Sequence, residues 1–371
     1  MIPGSLALLL LSSHNFERRT PDRRRHSAVA ATSRGGGRGG RTAKRTNRKG
    51  GRKSEVDNLA QRLGLHQPPK SKKRPKSTAV STKVQLQYAT KGHAVLRGFF
   101  DESTVQMIND ECLRISARET LSAWQQKVEV HLGWENAHAI ATKLGSVEEC
   151  QDMLDSTANE LPFLQFFNLW KRNDAPTVRR VCLSPHVAEA ASILLDCKRV
   201  RLYQDSLFHK RAGDLDTPWH SDNKMAPFDT SKTITFWIAL QPVPADGSAL
   251  LFVDSSHLDF ALPYWNGVDG DEHDRLEHRY DNAVSHYMPL QLGDVTVHNG
   301  WTLHSTNTAL EQTEDRLALA ITYVDARAEL REDQTKGDNE DRWSYQSWVK
   351  DVAPRTQFVH PDVPIVWPQK G

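Results

Sequence analysis

The chain predicts a mainly β domain with flanking helices, and three observations carry that prediction. After Lys198, short segments rich in β-branched and aromatic residues recur at 199–209, 233–240, 249–254, 294–298 and 316–324. Clusters of Gly, Pro, Asp and Asn separate them, the pattern of an all-β barrel or sandwich. Before Lys198, apolar residues recur at three- and four-residue spacing, as on amphipathic helices. The charge also divides the chain: residues 1–80 hold 20 Lys+Arg against 4 Asp+Glu, and the remainder holds 28 against 42. A basic arm of +16 therefore precedes an acidic body of −14, and the two are read separately.

Each element follows from local chemistry. Ordered sequence begins near Val84. Ala94 to Phe100 reads as a short strand ending in a Gly98 turn. Val105, Ile108, Cys112 and Ile115 mark the next helix, with Asp101 or Ser103 as its cap. Ser146-Val147-Glu148-Glu149 fits a capping box, in which Ser and Glu each satisfy an orphan backbone N–H. Ser184-Pro185 opens a third helix, with Ser as cap and Pro at the first helical position. Its buried stripe is Val187, Ala190, Ala191 and Leu194. Helices thus occupy 101–196, the barrel about 198–325, and a tail 326–371 completes a body of 81–371. Residues 262–290 form a long polar insertion, and long loops in compact domains are typically functional. In the tail, Trp343, Tyr345, Trp348 and Trp367 either pack on the barrel or close a pocket.

The arm cannot bury enough apolar surface to offset the entropy of ordering, so disorder is expected over residues 12–80. Its Arg-rich, acid-poor composition reads first as a transit peptide for a plastid or mitochondrion. Lys70-Ser71-Lys72-Lys73-Arg74-Pro75-Lys76 offers nuclear import instead, the RGG-like composition offers non-specific RNA binding as a third reading, and a solvated cytoplasmic tail with no specific partner is the plain alternative. Any nucleic-acid partner is expected only through this arm, because the charge of the body argues against a broad phosphate-binding surface. No apolar run approaches the ~20 residues of a membrane helix. Four cysteines without a CxxC pair exclude a disulfide scaffold and argue against a thiolate zinc site.

One constellation carries chemistry. In Thr217-Pro218-Trp219-His220-Ser221-Asp222, His220 and Asp222 stand at i and i+2. On an extended strand both side chains project from one face, offering two ligands to a divalent metal. The best third ligand is His304, in a downstream segment that runs from Gly293-Asp294 to Asn307. Two His and one carboxylate form the facial triad of non-haem Fe(II) oxygenases, with open positions on the metal. Arg316 opens a strand of small residues and would set a guanidinium inside the barrel, where a dicarboxylate cosubstrate supplies its partner. His298 reads as a supporting or core histidine. His257, His273, His278 and His286 read as solvated loop residues, with substrate binding by the 273–286 group as the alternative.

From residue 85 to 325 the chain resembles the phytanoyl-CoA dioxygenase (PhyH) family of Fe(II)/2-oxoglutarate oxygenases. The resemblance lies in Gly92 to Phe100 followed by a helix, and in His209-Lys210 leading to Trp219-His220-Ser221-Asp222. It continues through Gly293-Asp294 to His304-Ser305-Thr306-Asn307, and then Arg316. It implies a double-stranded β-helix (jelly-roll, cupin-like) barrel. It implies His220, Asp222 and His304 as iron ligands, and Arg316 with Thr306 on the distal carboxylate of 2-oxoglutarate. Trp237 is implied as an aromatic wall beside the cosubstrate, and Gln204 and Lys210 as polar contacts. The implied reaction takes Fe(II), 2-oxoglutarate and O2, decarboxylates the oxo acid to succinate and oxidises a C–H bond of the substrate. Asp222 favours hydroxylation, since family members that halogenate lack that carboxylate. The acidic body favours a small or lipophilic substrate. The alternative is a non-oxidative cupin-type metal barrel, a hydrolase, isomerase or binding module, which leaves Arg316 without a purpose.

Overall fold

A computed structural model describes residues 80–132, 137–155, 163–211, 214, 217–259, 280, 283–306, 315–331, 346–349 and 351–368. The basic arm, most of the 262–290 insertion, and Trp343 and Tyr345 lie outside the described residues. All described residues belong to one unit. Among them no helix is long and apolar enough to cross a membrane.

The helical layer starts before the predicted strand. Helix α1 (Thr82–Lys91) is capped by the Ser81 hydroxyl, which accepts the Val84 amide at 3.3 Å. Only Tyr88 is buried on it, so its apolar period is too faint to read. It ends at Gly92, whose φ of 84° favours glycine; a Cβ there would also run into Thr302 and His257. Strand β1 (His93–Leu96) is shorter than predicted, because the chain turns at Gly98 (φ 57°). Helix α2 (Glu102–Arg118) uses Asp101 as cap, its carboxylate accepting the Thr104 amide at 2.8 Å. Ser103 instead donates to Asp101.

Val105, Ile108, Cys112 and Ile115 are buried on α2 as their spacing predicts, and Glu111 is buried beside them. Helices α3 (Thr120–Leu132), α4 (Ala137–Ala141) and α5 (Val147–Asp155) follow. At α5, Ser146 accepts the Glu149 amide at 3.1 Å, but Glu149 reaches the Gly145 amide rather than that of Ser146. The box is therefore displaced by one residue. Strand β2 (Leu164–Phe167) interrupts the region predicted as helical, with Leu164 and Phe166 buried in alternation. Helix α6 (Pro176–Cys182) has Ala175 at its cap position, so Glu111 serves instead, accepting the Thr177 and Val178 amides at 2.9 and 3.0 Å. Helix α7 (Pro185–Leu194) buries the predicted stripe, although Ser184 at its cap makes no side-chain capping bond.

The barrel strands are β3 (Val200–Lys210), β4 (Phe228–Asp229) after the short helix α8 (Asp222–Met225), β5 (Thr233–Ala239), β6 (Leu250–Val253), β7 (Val284–His286), β8 (Val295–Asn299), β9 (His304–Thr306), β10 (Arg316–Asp325) and β11 (Glu329–Leu330). Helix α9 (Gln346–Val349) and strand β12 (Ile365–Trp367) follow. The large antiparallel sheet runs β1-β8-β5-β10-β3-β12, with β2 also on β3; the small sheet is β7-β6-β9. This is the mainly β, curled double-sheet barrel of the sequence reading, with helices on one side.

Strand alternation sorts the side chains of the large sheet between its two faces. Phe236, Ile238, Leu319, Ile321 and Val297 enter the core shared with the helices. Trp237, Ala239, Ala318 and Ala320 turn inward and meet Leu250 and Phe252 of the small sheet. The tail packs on the barrel: Trp348 is 1% exposed and clusters with Tyr203, Phe228 and Phe358.

One buried network pins the two sheets together. His93 of β1 places Nε2 2.9 Å from Asp254 Oδ1, after β6, and Nδ1 2.8 Å from the Tyr287 hydroxyl, after β7. Its ring stacks on Phe252 at 4.6 Å. Burial pulls the His93 pKa down to about 4, against the attraction of Asp254. The unfolded chain takes a proton near pH 6.5, so His93 stabilises the fold fully above that pH. The contribution is lost as pH falls from 6.5 towards 4, to an extent on the order of 3 kcal/mol. Urea midpoints measured between pH 7.5 and 4.5 should therefore fall less steeply in His93→Gln than in the wild-type chain.

Candidate active site

His220 and His304 face each other across an isolated antiparallel bridge: each backbone amide donates to the other's carbonyl, at 3.0 and 2.9 Å. Their rings lie 4.2 Å apart. Asp222 does not continue an extended strand, contrary to the sequence reading. It starts the turn of α8, closed by the Ala226 amide on the Asp222 carbonyl at 3.0 Å, and the Asn223 amide docks on Gly300 at 2.8 Å. The turn swings the carboxylate between the two rings. Asp222 Oδ1 lies 3.5 Å from His304 Nε2 and 3.8 Å from His220 Nε2. The three candidate ligand atoms fall within 4.8 Å of one another.

The imidazoles are oriented by their own loops. His220 Nδ1 is 2.8 Å from the Pro218 carbonyl, and His304 Nδ1 is 2.9 Å from the Thr302 carbonyl. A carbonyl only accepts, so each Nδ1 carries the proton and each Nε2 presents a bare lone pair. Burial lowers the pKa of His220 and takes that of His304 well below the usual histidine value, which keeps both neutral. Burial alone would raise the pKa of Asp222; its histidine neighbours outweigh it and keep the carboxylate ionised, and His298 does so through a hydrogen bond to Oδ2 that needs no charged ring. Three acceptors thus converge with no proton among them, a donor set that suits a divalent cation.

His298 lies on β8, buried, with Nε2 3.1 Å from Asp222 Oδ2. The Thr235 hydroxyl of β5 is 2.8 Å from the same oxygen. Sequence reasoning placed His298 in a supporting role without naming its partner, and missed Thr235. Thr235 stands two residues before Trp237, so strand parity was the available signal.

Farther along the inner face, Arg316 is the first residue of β10 and faces Lys210 of β3 in register. Its Nη1 donates to Ser248 Oγ at 3.0 Å, and its guanidinium carbon lies 5.8 Å from the centre of the Trp237 ring. Lys210 is 2% exposed. Thr306 shares a face of β9 with His304 and accepts the Thr217 amide at 2.9 Å. Ala318 and Ala320 keep the floor between Arg316 and the histidines small. Gln204 Oε1 and Thr296 Oγ1 are buried without a hydrogen-bond partner among the described residues. By register both share the inner face with Trp237 and Thr322. A cation at one end and orphaned polar atoms along the wall fit a polar, acidic cosubstrate. Ser248 lies in a loop, and nothing in its neighbourhood marks it in the sequence.

Other histidines have different uses. His209 faces the helices, bridging Ser116 Oγ at 2.6 Å and Asp315 Oδ2 at 2.9 Å. His257 is half-buried against the Ala89 carbonyl, not solvated as its loop position suggests. His286 is exposed on β7, and His273 and His278 lie outside the described residues.

The fold and the family define the class: a double-stranded β-helix of the 2-oxoglutarate-dependent non-haem iron oxygenases. The chain belongs to the phytanoyl-CoA dioxygenase (PhyH) family, whose model matches residues 88–312. Fe(II), 2-oxoglutarate and O2 are its cofactor set.

Among solved structures, it is similar to SnoK, a non-haem α-ketoglutarate-dependent carbocyclase from nogalamycin biosynthesis. Identity is 19%, the match covers 79% of this chain and 99% of that one, and the TM-score is 0.52. The epimerase SnoN of the same biosynthesis matches at 19% identity over 78% of this chain and 96% of its own, with a TM-score of 0.53. At these identities the likeness is one of fold. No curated protein matches the chain.

Proposed function

We propose that the chain is a 2-oxoglutarate-dependent hydroxylase of a small or lipophilic molecule. The observation that carries the reading is the pair of bare Nε2 lone pairs converging with Asp222 Oδ1, each fixed by a carbonyl on the opposite ring nitrogen. In this reading His220, Asp222 and His304 hold Fe(II). Arg316 binds the distal carboxylate of 2-oxoglutarate, oriented by Ser248 and by Trp237 beside it, with Thr306 assisting by its hydroxyl. Gln204 and Lys210 supply further polar contacts from the inner face of β3. The bound metal with its oxo acid supplies oxidising power towards a C–H bond, coupled to decarboxylation to succinate. The protein's part is to orient the cosubstrate, exclude water behind Phe252 and Trp237, and keep both imidazoles neutral. Asp222 favours hydroxylation, because a halide would need its position on the metal.

Anaerobic titration of the full chain with Fe(II) and 2-oxoglutarate tests the cofactor assignment. The expected result is a visible metal-to-ligand charge-transfer band that requires both additions. Metal binding with no such band would point to a non-oxidative metal barrel. With the band established, succinate release in the presence of candidate lipids and small metabolites screens the substrate class.

A further inference from the structure

We propose that Thr235 and His298 are positioning residues that clamp Asp222 Oδ2, so that the carboxylate offers Oδ1 alone to a metal; this rests on the ligand reading above. An ionised carboxylate only accepts hydrogen bonds, so both neighbours of Oδ2 must be donors. His298 therefore gives its Nε2 proton at 3.1 Å, and Thr235 its hydroxyl proton at 2.8 Å.

A hydroxyl has one proton. Thr235 has spent it on Asp222, so the Thr322 hydroxyl, 3.0 Å away, must donate to Thr235. The direction of the whole row is fixed: Thr322 to Thr235 to Asp222, with His298 closing from the other side. The donors stand on β10, β5 and β8, which are adjacent in the large sheet. Thr322 faces Thr235 in register, and Thr235 faces His298. Three strands thus hold a carboxylate that itself sits on a short turn outside the sheet.

The clamp has a chemical consequence. A carboxylate free to rotate can place both oxygens on a metal and occupy one more position. With Oδ2 engaged by two donors, bidentate binding would break two charge-assisted bonds. The site then keeps its remaining positions for the oxo acid and the oxidant. Thr322 lies on the strand that begins with Arg316, so one rigid element sets both the carboxylate and the cosubstrate anchor.

The test uses Co(II) alone as probe on the full chain, followed by its visible spectrum and by thermal unfolding of the metal-free protein. Thr235→Val and His298→Phe remove one donor each at similar volume. Each should weaken Co(II) binding by 10- to 100-fold, the usual loss when an outer partner of a ligand is removed. Each should also change the Co(II) spectrum as the coordination shifts. Thr235→Ser, which keeps the hydroxyl, should restore affinity to within about threefold, and His298→Gln should recover part of it. Thr322→Val acts only through Thr235 and should cost less than Thr235→Val.

Wild-type affinity and an unchanged spectrum in folded Thr235→Val and His298→Phe would overturn the clamp. Should His298→Phe not fold, the Thr235→Val and Thr235→Ser pair decides alone. Should Thr235→Val not fold either, an unaltered spectrum and affinity in Thr235→Ala, which keeps no hydroxyl, would count against the clamp. A wild-type chain that binds no Co(II) would sink the ligand reading itself, a different failure from equal binding by wild type and variants.

Discussion

Asp222→Asn will leave the protein folded and nearly abolish metal binding, although it changes a single side-chain atom. The Thr235 and His298 donors at Oδ2 will select the amide oxygen, as the only acceptor Asn has. The amide nitrogen must then take the place of Oδ1, where it points two N–H donors at the bare Nε2 atoms of His220 and His304. That arrangement satisfies the site internally and removes a buried charge, so the thermal midpoint should hold or rise. It also replaces a ligand by two protons. Metal affinity should fall by more than ~100-fold, beyond the 10- to 100-fold typical of losing an outer partner. Metal titration and thermal unfolding of the same preparation check both halves. Retained affinity would show that Asp222 is not a ligand.

Arg316→Ala should separate cosubstrate binding from metal binding. The guanidinium lies on the inner face, tied to Ser248 at 3.0 Å and set beside Trp237. A charge-assisted hydrogen bond contributes about 1.5–3 kcal/mol, and a bidentate pair to one carboxylate makes two. Truncation should raise the Kd for 2-oxoglutarate by at least ~100-fold, leaving Co(II) affinity within about threefold of wild type. Arg316→Lys should recover little, since a point charge matches neither the planar fork nor the ring beside it. Equal 2-oxoglutarate affinity in wild type and Arg316→Ala would move the anchor elsewhere on the inner face, with Lys210 the first position to test.

The parts of the fold legible in the sequence are those with a local cause. Val105, Ile108, Cys112 and Ile115 show a helical period because one face of α2 is buried, and Arg316 to Val324 shows a strand because both faces of β10 are covered. Strand β2 escapes the sequence reading because four residues carry too short an alternation, and their partner lies in β3, far along the chain. His220 and Asp222 were legible as a pair, but their geometry was not. The turn at Asp222 depends on the Asn223 amide meeting Gly300, a contact no local pattern encodes. The same holds for Thr235 and Thr322, two ordinary strand threonines whose meaning comes from cross-strand register. The Glu149 bond to Gly145 shows the smaller error of the same kind, a correct motif with its partner one residue off.

The strand order also bears on how the protein comes into being. His93 pairs with His298, and Val200 with Trp367, so the neighbours in the large sheet are strangers in the chain. Such non-local pairing makes folding slow, because distant closures must be made before any contact rewards them. On a ribosome, His220 and Asp222 emerge well before His304, whose backbone bridge to His220 defines the site. A nascent chain therefore holds an imidazole and a carboxylate with no third arm to complete a chelate. If these three side chains hold the metal, loading waits until β9 has closed on His220, so a chain halted before residue 304 should bind no Co(II).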